Sequence, residues 1–481
     1  MQYKNKKNTN GYFVTNEILI AVYRLPTNKC YFCSMKIYNT LILRQEMRAV
    51  LRLGIPLMIA ELSGVLMSLI GTAMVGGVST TAVAAAGIAR PVYLFFALFG
   101  IGSAVMTAPL VAIANEQSDK TAVKNILYFG GAVGVLLSLV LCGMTCVIAA
   151  HFDYLQQPPD VTAAAVPYLW AIIPSIFPLL LSIHLLHFAD GLGHTRVGMV
   201  FAMSSLVLNF MLCWVFIFGN LGAKPLGLLG AGIATTVSEY ALFSSLLYYI
   251  YTSEKFAAVH QARIVWVRWR TEMSSFASAA FPVGLQIWVE YLAYAGAAMI
   301  VGQLGTYPLA AHNIAINLAS SSFMLMLAIG TAGSIRVGQA VGQNDNEQAR
   351  LSGVSALVLG LLFISIFVAL FLCFPSALAR IFTRDEQVVQ LIVPLLITAG
   401  FFQLCDAVQC VSIALLRGLG DSQLPSAISL AAYWLIGMPI GYWLTFGFGW
   451  GVQGVWIGFL ISLSLQAVWF TWRFFHLTRK A

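Results

Sequence analysis

Phe401-Phe402-Gln403-Leu404-Cys405-Asp406-Ala407-Val408-Gln409 lies inside an apolar run from about 388 to 416, and Asp406 is the only charged residue in that run. A second such acid, Glu290, sits near the middle of the run from 275 to 303. Both runs are long enough to cross a bilayer as helices. An acid at that depth costs roughly 2.5–3.5 kcal/mol on insertion scales, so an intramembrane carboxylate is read first as a functional group. These two acids set the reading of everything around them.

The surrounding chain has the matching composition. Its 481 residues are 59% hydrophobic and only 9% charged, with a mean hydropathy of +0.84. A soluble domain is about 25% charged, so the chain reads as an all-α, polytopic membrane protein. Apolar runs predict twelve spanning helices, at about 50–76, 87–112, 124–150, 161–185, 196–218, 226–251, 275–303, 308–333, 350–375, 388–416, 422–446 and 451–475. Pro167, Pro174 and Pro178 in the fourth run predict a bent helix there.

The net charge of +8 would suit nucleic acid in a soluble chain. Here the cations are explained by loop topology. With the N-terminus placed inside, 22 Lys and Arg fall on inner segments and 4 on outer ones. That bias and an even helix count predict cytoplasmic termini, a plasma-membrane (bacterial inner-membrane) location and no nucleic-acid partner. The lipid bilayer is the partner the composition demands, and the chain is expected to act as a monomer.

The chain also repeats. Met74-Val75-Gly76 pairs with Ile300-Val301-Gly302, Ala84-Ala85-Ala86-Gly87-Ile88-Ala89 with Ala310-Ala311-His312-Asn313-Ile314-Ala315, and Ile55-Pro56 with Phe281-Pro282, all at an offset of 226. Gly191-Leu192-Gly193 pairs with Gly418-Leu419-Gly420 at 227. A shared offset spanning six helices implies two parallel six-helix halves related by an axis along the membrane normal. The expected organisation is therefore a cytoplasmic tail at 1–46, a first lobe at 47–251, a cytoplasmic linker at 252–274 and a second lobe at 275–481. The tail is expected to pack little.

Carboxylates are hard oxygen ligands that bind Na⁺, an organic ammonium or a proton, one at a time. Gln286 and Tyr294 flank Glu290, and Phe402 and Gln409 flank Asp406, at helical spacings that share a face. Aromatic rings there suit a flat cation, although ordinary helix packing explains them as well. Asn313 and Asn317 offer amide oxygens one turn apart, and Met324-Leu325-Met326 reads as core filling or as an adaptable wall. Glu61 and Glu239 are further membrane-depth acids, with a structural or a functional use equally open.

Other chemistry is thin. Cys30 and Cys33 form a lone Cys-x-x-Cys without the second pair a metal site needs. His184, His187, Asp190 and His194 cluster in sequence, but a loop interrupts them and a metal site is the weaker reading. No nucleotide-binding loop, His-Glu-x-x-His or Gly-x-Ser-x-Gly occurs, so neither ATP drive nor a membrane-embedded enzyme is expected. No resident cofactor is expected either.

Gly54-Ile55-Pro56, Thr72-x-Met74-x-Gly76-Gly77, Ala311-His312-Asn313, Ser334-Ile335-Arg336-Val337-Gly338, Asp406-Ala407-Val408-Gln409 and Leu416-Arg417-Gly418 together resemble the multidrug and toxic-compound extrusion (MATE) family, and most closely its NorM-like branch. The resemblance runs from about Arg48 to Trp472. It implies two lobes facing across a central cavity, and export of cationic drugs in antiport with Na⁺ or H⁺. It also implies that the seventh- and tenth-helix acids, here Glu290 and Asp406, bind the coupling cation and substrate. The family commonly carries an Asp in the first helix before Thr-x-Met, where this chain has Gly71. That departure favours Na⁺ and a C-terminal-lobe site. A lipid-linked oligosaccharide flippase of the same architecture is the alternative. It would line its cavity with Arg or Lys, whereas in this sequence no Lys or Arg falls mid-helix and the membrane-depth charges are acidic.

Overall fold

The computed structural model describes residues 29–264 and 266–479. Within it the chain forms twelve long helices: α1 (Lys29–Gly76), α2 (Thr80–Glu116), α3 (Lys120–Ala150), α4 (Pro159–Gly191), α5 (Thr195–Phe218), α6 (Leu228–Thr252), α7 (Trp269–Gly302), α8 (Thr306–Gly342), α9 (Asn346–Cys373), α10 (Glu386–Gly418), α11 (Gln423–Phe446) and α12 (Val452–Leu477). Eleven are long and apolar enough to cross a membrane. The other, α6, is 25 residues long but carries Thr235, Thr236, Ser238, Glu239 and four tyrosines, which lower its hydropathy. Helices are what a bilayer permits, because each satisfies its own backbone groups where no water can.

Short polar side chains start several of them. Ser79 accepts from the Ala82 amide, Asp119 from Ala122, Asp345 from Gln348 and Asp385 from Gln387, each closing one of the free donors of a first turn. Helix α4 is interrupted at Pro174: residues Ile173–Ser175, around it, tighten into a single 3₁₀ turn.

The tail expectation needs correction. Helix α1 is already formed at Lys29, so the boundary drawn at 46/47 falls inside a helix. Glu46 is only 6% exposed, because it faces the other lobe and carries several bonds described below. Residues 1–28 lie outside the described part.

Two lobes result, α1–α6 and α7–α12. Each has its own core, around Tyr93, Tyr168 and Ile176 in the first and around Phe402, Tyr433 and Trp456 in the second. A third cluster crosses between them: Val50, Leu57 and Met58 of α1 and Ala108 and Ala112 of α2 pack with α8, α9 and α10. These crossing residues lie in the half of the molecule that holds the start of α1, the end of α12 and the connection between α6 and α7, its terminus-bearing end.

Glycines let the lobes touch there. A Cβ on Gly102 of α2 would stand 3.0 Å from the Gly284 Cα of α7, and one on Gly342 of α8 would stand 2.6 Å from the Ile113 carbonyl oxygen. A four-donor latch lies alongside. Arg336 donates through Nε to Glu46 Oε1 and through Nη2 to Glu46 Oε2, Gln348 Nε2 donates to Oε2, and Ser352 Oγ donates to Oε1, all at 2.8 Å. Glu116 accepts from Gln343 at 2.7 Å. At the opposite end, residues 76–80 and 302–303 are exposed. The bonds of Glu46 and Glu116 therefore hold the two lobes together at the terminus-bearing end.

Candidate functional site

The second lobe carries two membrane-depth acids. Glu290 and Asp406 project from α7 and α10 into one electrostatic neighbourhood, each within reach of the other's charge and of Tyr294. Asp406 is 3% exposed, and its Oδ1 has no hydrogen-bond partner. A buried carboxylate oxygen without a donor is costly.

Glu290 is better supported. Its Oε1 accepts from the Tyr433 hydroxyl at 3.0 Å, and Gln286 lies one turn earlier on α7 within its electrostatic reach. The Gln286 Oε1 in turn accepts from Arg417 Nη2 at 2.7 Å. The amide thus passes the polarity of a guanidinium on α10 to a carboxylate on α7. Arg417 is 5% exposed, and its Nε has no hydrogen-bond partner. The sequence reading counted Arg417 among the loop cations. The structure corrects that, because the last turn of α10 turns the guanidinium inward against α7.

The remaining expected members divide. Tyr294 stays with the acids, its ring 6.2 Å from Tyr433 and 4.9 Å from Phe459. Phe402 does not join them. It is 2% exposed and packs its ring 5.6 Å from Trp456 inside the core. Gln409 bonds Gln466 of α12 at 3.4 Å, so it ties two helices together. Asn317 donates to the Asn313 carbonyl oxygen at 2.7 Å on its own helix. It forms an exposed polar face of α8 with Asn313, Ser320 and Ser321. Such groups are tolerated at membrane depth where they border water or other protein.

Tyr433 was missed. It sits in a π-turn at Ala432–Gly437, where the helix over-widens by one residue. Such bulges recur at functional sites, but nothing in Ala432-Tyr433-Trp434 marks one. Arg417 had a signal, since Leu416-Arg417-Gly418 is among the motifs quoted above. The error was to judge depth from its place at the end of an apolar run.

The first lobe holds acids too. Glu61 shares a neighbourhood with His187 and Asp190, and His187 Nδ1 stands 3.6 Å from Asp190 Oδ2. Glu239 lies 9% exposed beside Tyr93, with its Oε2 unpartnered. The four residues that hinted at a metal do not converge. His184 is engaged by Thr107 Oγ1 at 2.9 Å and the Leu127 carbonyl oxygen at 3.1 Å, and the His194 ring packs 5.5 Å from Phe256. Among the described residues no group of three His, Cys, Asp or Glu is arranged to hold a metal ion.

The chain is similar to known proteins. The MatE family model matches twice, at residues 56–215 and 282–443, starting at the two positions that the 226-residue repeat relates. A probable multidrug resistance protein NorM of Rhizobium meliloti is 32% identical over 441 residues, covering 90% of this chain and 94% of that protein. The multidrug resistance protein NorM of Vibrio vulnificus is 32% identical over 431 residues, covering 88% and 94%. The crystal structure of the eukaryotic MATE transporter AtDTX14 superposes with a TM-score of 0.81 at 22% identity, covering 91% of this chain and 98% of that one.

Proposed function

The chain belongs to the MatE family, and from that premise we propose that it is a secondary active exporter of cationic drugs, coupled to inward movement of Na⁺ or H⁺. The observation that carries this reading is the pairing of Asp406, with a bare carboxylate oxygen, and Glu290 in one lobe. Two neighbouring carboxylates repel until a cation or a proton relieves them. An organic cation and a coupling ion therefore exclude each other at the pair, and exclusion at one site suffices for antiport.

Each residue around the pair has a distinct task. Tyr433 holds Glu290 in place through a hydrogen bond, with Gln286 beside it on α7. Tyr294 supplies a ring edge and a hydroxyl beside both acids. Arg417, set back behind Gln286, partly offsets the acid charge when no cation is bound. The coupling ion would enter from the side opposite the termini. Parting of the Glu46 latch would then open the cavity to the terminus-bearing side, which the charge bias places in the cytoplasm of a bacterial cell. Na⁺ is favoured over H⁺ by Gly71, which replaces the first-helix Asp common in the family. One buried arginine bonded to glutamine is not a pyrophosphate cradle, so the flippase alternative gains nothing from Arg417.

The test is ethidium efflux from energised vesicles with the Na⁺ and pH gradients imposed separately. Efflux driven by the Na⁺ gradient alone supports Na⁺ antiport, and efflux driven by the pH gradient alone reassigns the ion to H⁺. Efflux that needs neither gradient removes the antiport reading.

A further inference from the structure

Away from the acids, on the outer flank of the second lobe, α9, α10 and α12 enclose a groove of about 890 Å³. Its walls are apolar: Leu361, Leu404, Val408 and Val468 line it, and Val468 is 72% exposed. At the terminus-bearing end the lining changes to Trp472, Arg350, His476 and Arg479. Trp472 stacks on the His476 ring at 5.3 Å, and the Arg350 guanidinium lies 5.5 Å over the Phe475 ring. Arg350 and Arg479 are exposed and take part in none of the ion pairs among the described residues.

The length of the groove matters. From Ser464 to Arg479 the chain advances about 22 Å at 1.5 Å per residue. Half of a whole bilayer is about 20–22 Å, headgroup included. The apolar part therefore matches the acyl depth of one leaflet, and the two arginines stand at the depth of its phosphates.

We propose that this groove is a binding site for an anionic phospholipid, with its acyl chain along α12 and its phosphate between Arg350 and Arg479. Charge decides the occupant. Two guanidiniums repel the organic cations this protein is proposed to export, and they have no anionic partner among the described residues. Basic pockets between spanning helices recognise anionic headgroups by the same physics. The inference needs only that the chain spans a bilayer, and stands apart from the question of ion coupling.

The experiment uses the full-length protein in phosphatidylcholine vesicles carrying brominated phosphatidylglycerol or brominated phosphatidylcholine. Bromine quenches nearby tryptophan, and the quenching lost in Trp472→Phe isolates the groove from the other tryptophans. Brominated phosphatidylglycerol should be preferred roughly twentyfold, since each arginine near the surface is worth about fivefold. Arg350→Gln and Arg479→Gln should each lower the preference about fivefold, and the double variant should abolish it. Arg263→Gln in the linker should leave it intact. Elution volume and helicity confirm that each variant is folded. Equal quenching by the two lipids would overturn the proposal, as would a preference that survives the double substitution. Displacement by inorganic phosphate at matched concentration would show a phosphate site without lipid character. Quenching that falls as protein density rises would show a second copy of the chain in the groove. Either result would equally overturn it.

Discussion

Glu46→Gln should release the closed end of the molecule. Glu46 receives two bonds from Arg336 and one each from Gln348 and Ser352, all at 2.8 Å and all from the opposite lobe. A hydrogen bond to a charged group contributes about 1.5–3 kcal/mol, and removing one member of a buried ion pair costs about 3–5 kcal/mol. The Arg336 side chain is 25% exposed against 7% for Glu46, so water returns part of that when the lobes separate. The net bias toward closure is about 2–3 kcal/mol, and losing it shifts the closed-to-open ratio by about 30- to 150-fold. Hydrogen exchange on the full-length protein reads this directly. The terminus-bearing ends of α1, α8 and α9 should exchange faster by that factor, while the opposite half of α10 stays unchanged. Arg336→Gln should give the same pattern, and the double variant should add little, because one contact is lost once. Unchanged exchange at those ends would refute the latch. Acceleration spread through every helix would show a loosened fold instead.

Three further outcomes follow from the site. Tyr433→Phe removes one bond to Glu290 and should raise the Na⁺ concentration for half-maximal ethidium efflux by about three- to tenfold, the worth of a single hydrogen bond, with turnover at saturating Na⁺ retained. Arg417→Gln should be far harsher, because Gln286 and Glu290 lose their buried cation; efflux should fall at least about tenfold at matched membrane levels, and Arg417→Lys should restore only part of it, since an ammonium lacks the planar fork. A topology reporter fused after Ala481 and another inserted between Ser253 and Lys255 should both read as cytoplasmic, and a signal from the opposite side at either place would overturn the orientation.

The fold was legible because the bilayer forces it to be. Run lengths and the 226-residue offset located helices and halves without reference to any contact, and Pro174 falls at the interruption of α4. Glu290 and Asp406 were legible for the same reason, since charge stands out in an apolar run. What escaped depends on contacts between distant segments. Glu46 fell in the tail because it precedes the first apolar run; only α8 and α9, some 290 residues on, show that it is buried. Phe402 shares a helical turn with Asp406, yet Trp456 claims its ring. Glu61, His187 and Asp190 meet across two helices, and no spacing within either helix announces it.

The central claim is that Glu290 and Asp406 form one coupling site, and ethidium efflux in charge-neutral variants tests it most directly. Glu290→Gln and Asp406→Asn keep size and hydrogen bonding while removing charge. Measured at equal membrane abundance, each should abolish ion-driven efflux, the double variant should be no worse than either alone, and Glu61→Gln and Glu239→Gln should do less. If both second-lobe variants pump normally while Glu61→Gln or Glu239→Gln is inactive, the coupling site lies in the first lobe and the account is wrong.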